Sequence, residues 1–288
     1  MRTKIIRFLR VVPDELYLKL LFYKNLKYGL NLEDPITYNE KLQWLKMNDR
    51  QSFYPMLVDK VEVRKHIAEI LGEQYVVPLI GVWDDANDIE FEKLPNKFVL
   101  KCNHDSKSVI VCTDKRQLDF RKTVKKLEKG LKQNAYWYGR EWPYKSVRPR
   151  VLAEKYIEDH NTRILRDYKV VCFHGKAHFI QVHFDRGTPK YHQDLYDMNW
   201  NLVFMTQGVK DLDMRMANNY IEKPGFFDEM VRLSEQLASD MIHVRVDWYY
   251  ANGQLYFGEM TFYDGSGFIP FDNWEDDVTL GNLMDLKV

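Results

Sequence analysis

The chain has 288 residues, enough to bury a core and to form two or three domains. Lys plus Arg and Asp plus Glu each total 42, so the formal net charge is zero, which argues against a dedicated nucleic-acid binder. The 14% aromatic content speaks against disorder, the sparse cysteines Cys102, Cys112 and Cys172 fit free thiols in a reducing compartment, and no apolar run has membrane-spanning length, so the expected location is the cytoplasm.

Residues 1–57 read as a helical segment. Within residues 1–32, Arg2, Lys4, Arg7, Arg10, Lys19, Lys24 and Lys27 stand against only Asp14 and Glu15. Ile5, Ile6, Leu9 and Val12 fall at helical spacing, as do Leu16, Leu20 and Tyr23, and Pro13 suits the first turn of a second helix. Two readings stay open: helices docked on the body with their lysines in water, or a peripheral membrane contact at the inner face of a membrane. Thr37-Tyr38-Asn39-Glu40 has the spacing of a capping box and predicts a helix to about Met47.

Residues 58–150 form a second segment. Asp59 is placed to cap a helix running to about Leu71, and strands are predicted at 75–82, 97–102 and 109–112. Lys101 interrupts an apolar strand. It reads either as a cation waiting for an anion or as an edge-strand gatekeeper. The loop Asn103-His104-Asp105-Ser106-Lys107-Ser108 is rich in donors that suit a polyphosphate, although it lacks glycine. A lysine-rich helix is expected over 117–133, and an aromatic, basic loop over 134–150.

Residues 151–288 form the third segment. A strand is predicted at 151–159, a hairpin at 167–183 around Gly175, and a polar loop at 185–196 carrying Arg186, Lys190 and His192. Lys169 again puts a cation inside an apolar strand. Asp211-Leu212-Asp213 matches the letters of a DxD metal motif but has no strand before it. An amphipathic helix at 225–240 leads into the final hairpin, and 274–277 reads as an acidic surface tail.

That hairpin, 244–261, turns at Asn252-Gly253 and carries Asp247 on one arm and Glu259 on the other. A plain two-residue turn would send the two acids to opposite faces. They share a face only with an odd loop or a bulge, for which Gly253 offers a positive φ. On residues alone, they are either ligands for a hard cation, or one acid in water with the other paired to Arg245.

Taken in order, Asp59-Lys60, FVLK ending at Lys101, VLAEKYI around Glu154, DYKVVCFHGK and RVDWYYANGQLYFGEMT resemble the ATP-grasp superfamily, in particular its TupA-like branch, associated with teichuronopeptide and surface-polysaccharide gene products. The resemblance runs from about Thr37 to the C-terminus. It implies an α+β fold with two α/β lobes clamping ATP, and ATP and Mg²⁺ as cofactors. By resemblance, Lys60 and Lys101 are the phosphate lysines. Glu154, Lys155, Tyr156 and Ile157 form the adenine hinge, and His104, Ser106 and Lys107 lie in the phosphate flap. Asp247 and Glu259 are the magnesium carboxylates, with Thr261 where the family usually has Asn, and Arg245 lies beside the transferred phosphoryl group. The implied activity joins a carboxylate, a uronic acid or an amino acid, to an amine through an acyl phosphate. Lys169, Arg186 and His192 are the candidates to hold a carbohydrate or amino-acid substrate. The rival readings are a glycosyltransferase and a sugar kinase.

Overall fold

The computed structural model describes residues 10–160, 165–184, 191–205 and 221–287. The chain divides into two compact units, one made of Met1–Arg50 with Asp159–Val288 and the other of Gln51–Glu158. This differs from a simple succession of three segments. The N-terminal helices belong with the C-terminal sheet, and the strand after residue 150 belongs with the middle segment.

In the first unit, α1 (Asp14–Leu26) starts directly after Pro13. Its buried side is Leu18, Phe22 and Leu26, packed with Leu30 against Tyr28, Leu32, Met47 and Phe268. Helix α2 (Tyr38–Asn48) opens with the expected capping box. The Glu40 amide donates to Thr37 Oγ1 at 3.1 Å, and the Thr37 amide donates to Glu40 Oε2 at 3.1 Å. Two orphan amides of the first turn are thereby satisfied.

The Gln51–Glu158 unit begins with α3 (Tyr54–Val58) and α4 (Val63–Ile70). Its sheet contains β1 (Leu79–Trp83), β2 (Phe98–Cys102), β3 (Ile110–Cys112) and β4 (Val151–Lys155), in the order β1-β4-β2-β3. All three pairings are antiparallel. Helix α5 (Phe120–Leu131) buries Leu127 in a core shared with Phe98, Leu100, Val151 and Ala153. The expected loop over 134–150 contains a short helix, α6 (Tyr136–Gly139).

The first unit resumes with β5 (Arg166–Phe173), β6 (Lys176–Phe184) and β7 (His192–Asp197), then α7 (Phe227–Ala238), β8 (His243–Ala251), β9 (Gln254–Thr261) and α8 (Trp274–Gly281). The sheet order is β7-β6-β5-β8-β9, antiparallel throughout. One face presents Val170, Ile180, Val246 and Trp248, all fully buried, and α7 packs on the sheet with Met230, Leu233 and Leu237 inward. Trp248 Nε1 donates to Ser234 Oγ at 2.8 Å, which satisfies the indole in the core. The stretch 274–277, expected as a solvated tail, opens α8 instead. Asp277 is buried and accepts the Asn39 amide at 3.0 Å and Asn39 Nδ2 at 2.9 Å, a second anchor for the start of α2. Burial raises the Asp277 carboxyl pKa, and the Asn39 bonds oppose that rise.

Candidate active site

In the Gln51–Glu158 unit, an acid and two cations meet on one face of the sheet. Val99 pairs with Glu154, so Lys101, two residues along β2, shares the face of Glu154. Lys101 Nζ lies 2.5 Å from Glu154 Oε2, and Arg64 Nη1 of α4 lies 2.8 Å from Glu154 Oε1. All three side chains are 15% exposed or less. Lys101 is largely buried and paired with Glu154, so it is not a solvent-facing edge gatekeeper. The acid that meets it comes from the chain itself. Glu154, expected to meet a purine edge, has both oxygens engaged by these cations.

Asp59 organises the approach to α4. Its Oδ1 accepts the Val61 amide at 2.9 Å, and its Oδ2 lies 2.9 Å from Arg150 Nη2. The Lys60 amide donates to the Asn103 carbonyl at 3.1 Å, which ties this corner to the 103–108 loop. In that loop His104 turns inward. Its ring nitrogens lie 3.0 Å from Asn103 Oδ1 and 2.9 Å from the Gln133 carbonyl, and the side chain is buried. It is a strut for the loop, which corrects its assignment as a phosphate contact. Ser106 and Lys107 are exposed. At the hinge, the Lys155 amide donates to the Pro78 carbonyl at 2.9 Å. Tyr156 and Ile157 are half-buried, and Lys97 Nζ stands 5.7 Å from the Tyr156 ring centroid.

In the other unit the hairpin decides the geometry. The turn is the plain two-residue one: Ala251 pairs with Gln254, and Asn252 and Gly253 both have positive φ. The bulge lies further along. Asp247 pairs with Glu259 and Trp248 with Phe257, so Gly258 is the extra residue. The two carboxylates therefore share a face, and the device that brings them there is Gly258 rather than Gly253. A Cβ at Gly258 would stand 3.1 Å from the Asp247 carbonyl oxygen, so a side chain there is crowded by backbone.

The shared face continues across the sheet. Lys169 pairs with Asp247, and Arg245 with Thr261. Arg245 grips Asp247 with two bonds, Nε to Oδ1 at 2.7 Å and Nη2 to Oδ2 at 2.9 Å. Lys169 Nζ also donates to Asp247 Oδ2, and Arg245 Nη1 donates to Asp264. Arg245 Nη2 lies 3.2 Å from Thr261 Oγ1 and 3.8 Å from Glu259 Oε1. Burial works against the charge of Arg245, but Asp247, Asp264 and Glu259 outweigh it and raise its pKa well above the ordinary value. With three acids against two cations, the cluster carries one surplus negative charge.

Asp264 enters from the loop after β9, where Gly265, Ser266 and Gly267 all have positive φ. Helix α2 holds that loop: Lys46 Nζ donates to the Ser266 carbonyl and Gln43 Nε2 to the Gly267 carbonyl, both at 2.7 Å. Lys46 is fully buried. Asp264 also lines a cavity on this side of the sheet, with Val171, Phe179, Gln181, Gln193 and Leu195. Gln181 pairs directly with Lys169, so the cavity adjoins the charged cluster. His192 does not join it. It pairs with Phe184, on the opposite face from Gln181, and stacks on that ring with centroids 4.6 Å apart. Arg186, Asp211 and Asp213 lie outside the described residues.

The chain matches the model of a known family, TupA-like ATPgrasp, over residues 40–285. The chain belongs to that family. Its cofactors are ATP and Mg²⁺, as for other ATP-grasp proteins. Among solved structures, the chain is similar to a D-alanine–D-alanine ligase from Bacillus anthracis complexed with ATP, at 18% identity and TM-score 0.42, covering 72% of this chain and 54% of that one. It is also similar to a D-alanine–D-alanine ligase from Helicobacter pylori, at 14% and 0.42, covering 86% and 69%. A third is the ATP-grasp ligase PsnB complexed with a phosphomimetic variant of its minimal precursor, Mg and ADP, at 8% and 0.39, covering 77% and 57%. The chain spans a little over half the length of the first of these. No curated protein matches it.

The TupA-like chain fits Mg²⁺ by donor chemistry. Asp247, Glu259 and the Thr261 hydroxyl are hard oxygen donors on one face, in a cluster with surplus negative charge. Glu259 is the accessible acid, with a side chain 32% exposed, while Asp247 is enclosed by Arg245 and Lys169. Among the described residues no three His, Cys, Asp or Glu side chains form a metal cage. Such a donor set suits an ion that takes its remaining oxygens from phosphate and water. Sequence reasoning missed Arg64, Arg150 and Asp264. Arg64 stands four residues after Lys60, a spacing that the helix expected from Asp59 would have turned into one face and that could have suggested it; Asp264 has no comparable signal, since only the backbone turn brings it back to Arg245.

Proposed function

We propose that this protein is an ADP-forming ligase that joins a carboxylate to an amine. In this reading the acid is a uronic acid of a surface polysaccharide or its precursor, and the nucleophile is an amino acid or another amine. The observation that carries the proposal is the Asp247–Glu259–Arg245 face, which the Gly258 bulge assembles.

The reaction has two transfers. A carboxylate oxygen attacks the γ-phosphorus of ATP, the bridging P–O bond to ADP breaks, and an acyl phosphate forms. The amine nitrogen then attacks the acyl carbon, the C–O bond to phosphate breaks, inorganic phosphate leaves, and the amine loses a proton to solvent. Arg245 neutralises charge on the transferring group, and Lys60 and Lys101 act on the phosphates of the nucleotide. Glu154 and Arg64 fix where Lys101 stands. Glu259, with Asp247 and Thr261 beside it on the same face, would hold Mg²⁺, and the ion would supply further charge neutralisation on phosphate oxygens. Lys169 does not receive the acid directly, because Asp247 occupies it; it positions Asp247. The cavity beside it offers the acid carboxamides at Gln181 and Gln193 and an aromatic wall at Phe179.

The test is product stoichiometry with ATP, Mg²⁺, a hexuronic acid and a panel of amino acids. A ligase releases ADP and phosphate together, and only when acid and amine are both present. ADP without phosphate and with a phosphorylated sugar would identify a kinase. Gln181→Ala should raise KM for the acid several-fold with KM for ATP unchanged; an unchanged acid KM removes the cavity from the acid site.

A further inference from the structure

Helix α1 has two apolar sides, and the fold uses one of them. Leu18, Phe22 and Leu26 are buried, whereas Leu16, Leu20 and Tyr23 are 51%, 62% and 62% exposed. At about 100° per residue, Leu16, Leu20 and Tyr23 fall within an arc of roughly 60° opposite the buried side. Lys19 lies at one rim of that arc and Lys24 at the other, and Lys27 is the left-handed residue that ends the helix. Val11, just before the helix, is also 75% exposed.

The charge is as uneven as the hydropathy. Residues 1–27 hold seven basic side chains and two acidic ones, in a chain whose totals are equal. Of the two acids, Glu15 is paired with Lys19 at 2.7 Å, which offsets that lysine within the protein until a stronger anion competes for it, and Asp14 lies 3.4 Å from Arg50 Nη2. Before Arg10, the sequence adds Ile5, Ile6, Phe8 and Leu9 among Arg2, Lys4 and Arg7. An apolar strip rimmed on both sides by lysines matches the boundary of an anionic bilayer, where leucine and tyrosine enter the headgroup region and lysines reach the phosphates. A second copy of the chain is a poorer occupant, because it would set the same lysines against one another. Among the described residues no helix is long and apolar enough to cross a membrane, so the contact argued here lies on the surface.

We infer that the exposed side of α1, through Leu16, Leu20, Tyr23 and the flanking Lys19, Lys24 and Lys27, docks the protein on an anionic lipid surface. The inference is independent of the proposed ligase activity, since none of these residues belongs to the charged clusters or the cavity.

The experiment is co-sedimentation of the full chain with vesicles of phosphatidylcholine alone and of phosphatidylcholine with phosphatidylglycerol, at low and high salt. The expected result is pelleting with the anionic vesicles that falls with salt. Leu16→Ser with Leu20→Ser should cut partitioning at least about tenfold, and Lys19→Glu with Lys24→Glu should cut it by about fivefold per charge. All four positions are exposed, and an unchanged thermal melt shows that each variant folds. Should the leucine pair unfold the chain, the lysine pair still decides the question. No pelleting with either vesicle overturns the inference, as does pelleting that neither pair of changes reduces. A concentration-dependent dimer abolished by the leucine changes, without vesicle binding, would assign the face to self-association instead.

Discussion

Lowering the pH should unfold this protein partly through one histidine. His243 is buried on β8, two residues before Arg245. Its Nδ1–H donates to the Cys172 carbonyl at 3.0 Å, so Nε2 is left to accept the Tyr38 hydroxyl at 3.1 Å. The ring stacks on Phe173 with centroids 4.9 Å apart. Burial, opposed by the Cys172 bond, moves its pKa from the ordinary 6.5 down to about 4. The unfolded chain therefore binds the proton first. The stability tied to neutral His243 is present above pH 6.5 and is lost as pH falls towards 4. Between pH 7.5 and pH 5 that loss comes to about 2 kcal/mol. Urea melts of the full chain at the two pH values, compared with His243→Gln, isolate this part, since every other group titrates in both proteins. The expected result is a loss on acidification smaller by about 2 kcal/mol in the variant. Equal losses in the two proteins would refute the buried neutral ring.

Other outcomes follow from the charged clusters. Glu154→Gln leaves Lys101 and Arg64 without their acid and should cost about 3 kcal/mol in a urea melt, while weakening nucleotide binding in calorimetry. Gly258→Val should crowd the Asp247 carbonyl and disturb the bulge, so that Mg²⁺-dependent ATP binding is lost more than tenfold even where circular dichroism shows a folded chain. Arg245→Lys cannot bind Asp247 with two bonds and also reach Asp264, and should lower kcat at least a hundredfold with a smaller change in ATP affinity. Iodoacetamide should label the native protein slowly at neutral pH. All three cysteines are buried, and burial pushes Cys102 up to about 11 and Cys172 up to about 12.

Local chemistry made several features readable before any coordinates. The capping box at Thr37 and Glu40 is a contact between residues three apart, so sequence spacing alone specifies it. The Asn252-Gly253 turn was legible for the same reason. The requirement for a bulge could also be stated in advance, because alternation along a strand is strict. Its position could not, since the close approach of Gly258 to Asp247 belongs to the paired strands and not to either one.

Elsewhere the sequence signal was ambiguous or absent. Leu16, Leu20 and Tyr23 have the same helical spacing as a docked face. Periodicity cannot tell that side of α1 from the side carrying Leu18, Phe22 and Leu26, and packing chose the second. His104 and Glu154 carry the right chemistry for a nucleotide, but their polar atoms are engaged by Asn103, Gln133, Lys101 and Arg64. His192 is on the wrong face because a strand of alternating residues offers two, and only the pairing with Phe184 fixes which. The acidic run at 274–277 looked solvated until α2 supplied Asn39 as a partner for Asp277. The 151–155 strand was placed with the sequence that follows it, yet its hydrogen bonds go back to β1 and β2.

The most direct test is titration calorimetry of the protein with a non-hydrolysable ATP analogue, with and without Mg²⁺, alongside Glu259→Gln and Lys101→Met. The account predicts saturable binding that strengthens with Mg²⁺, loses the Mg²⁺ dependence in Glu259→Gln, and weakens at least tenfold in Lys101→Met. No binding of the analogue, or binding that neither substitution alters, would contradict it.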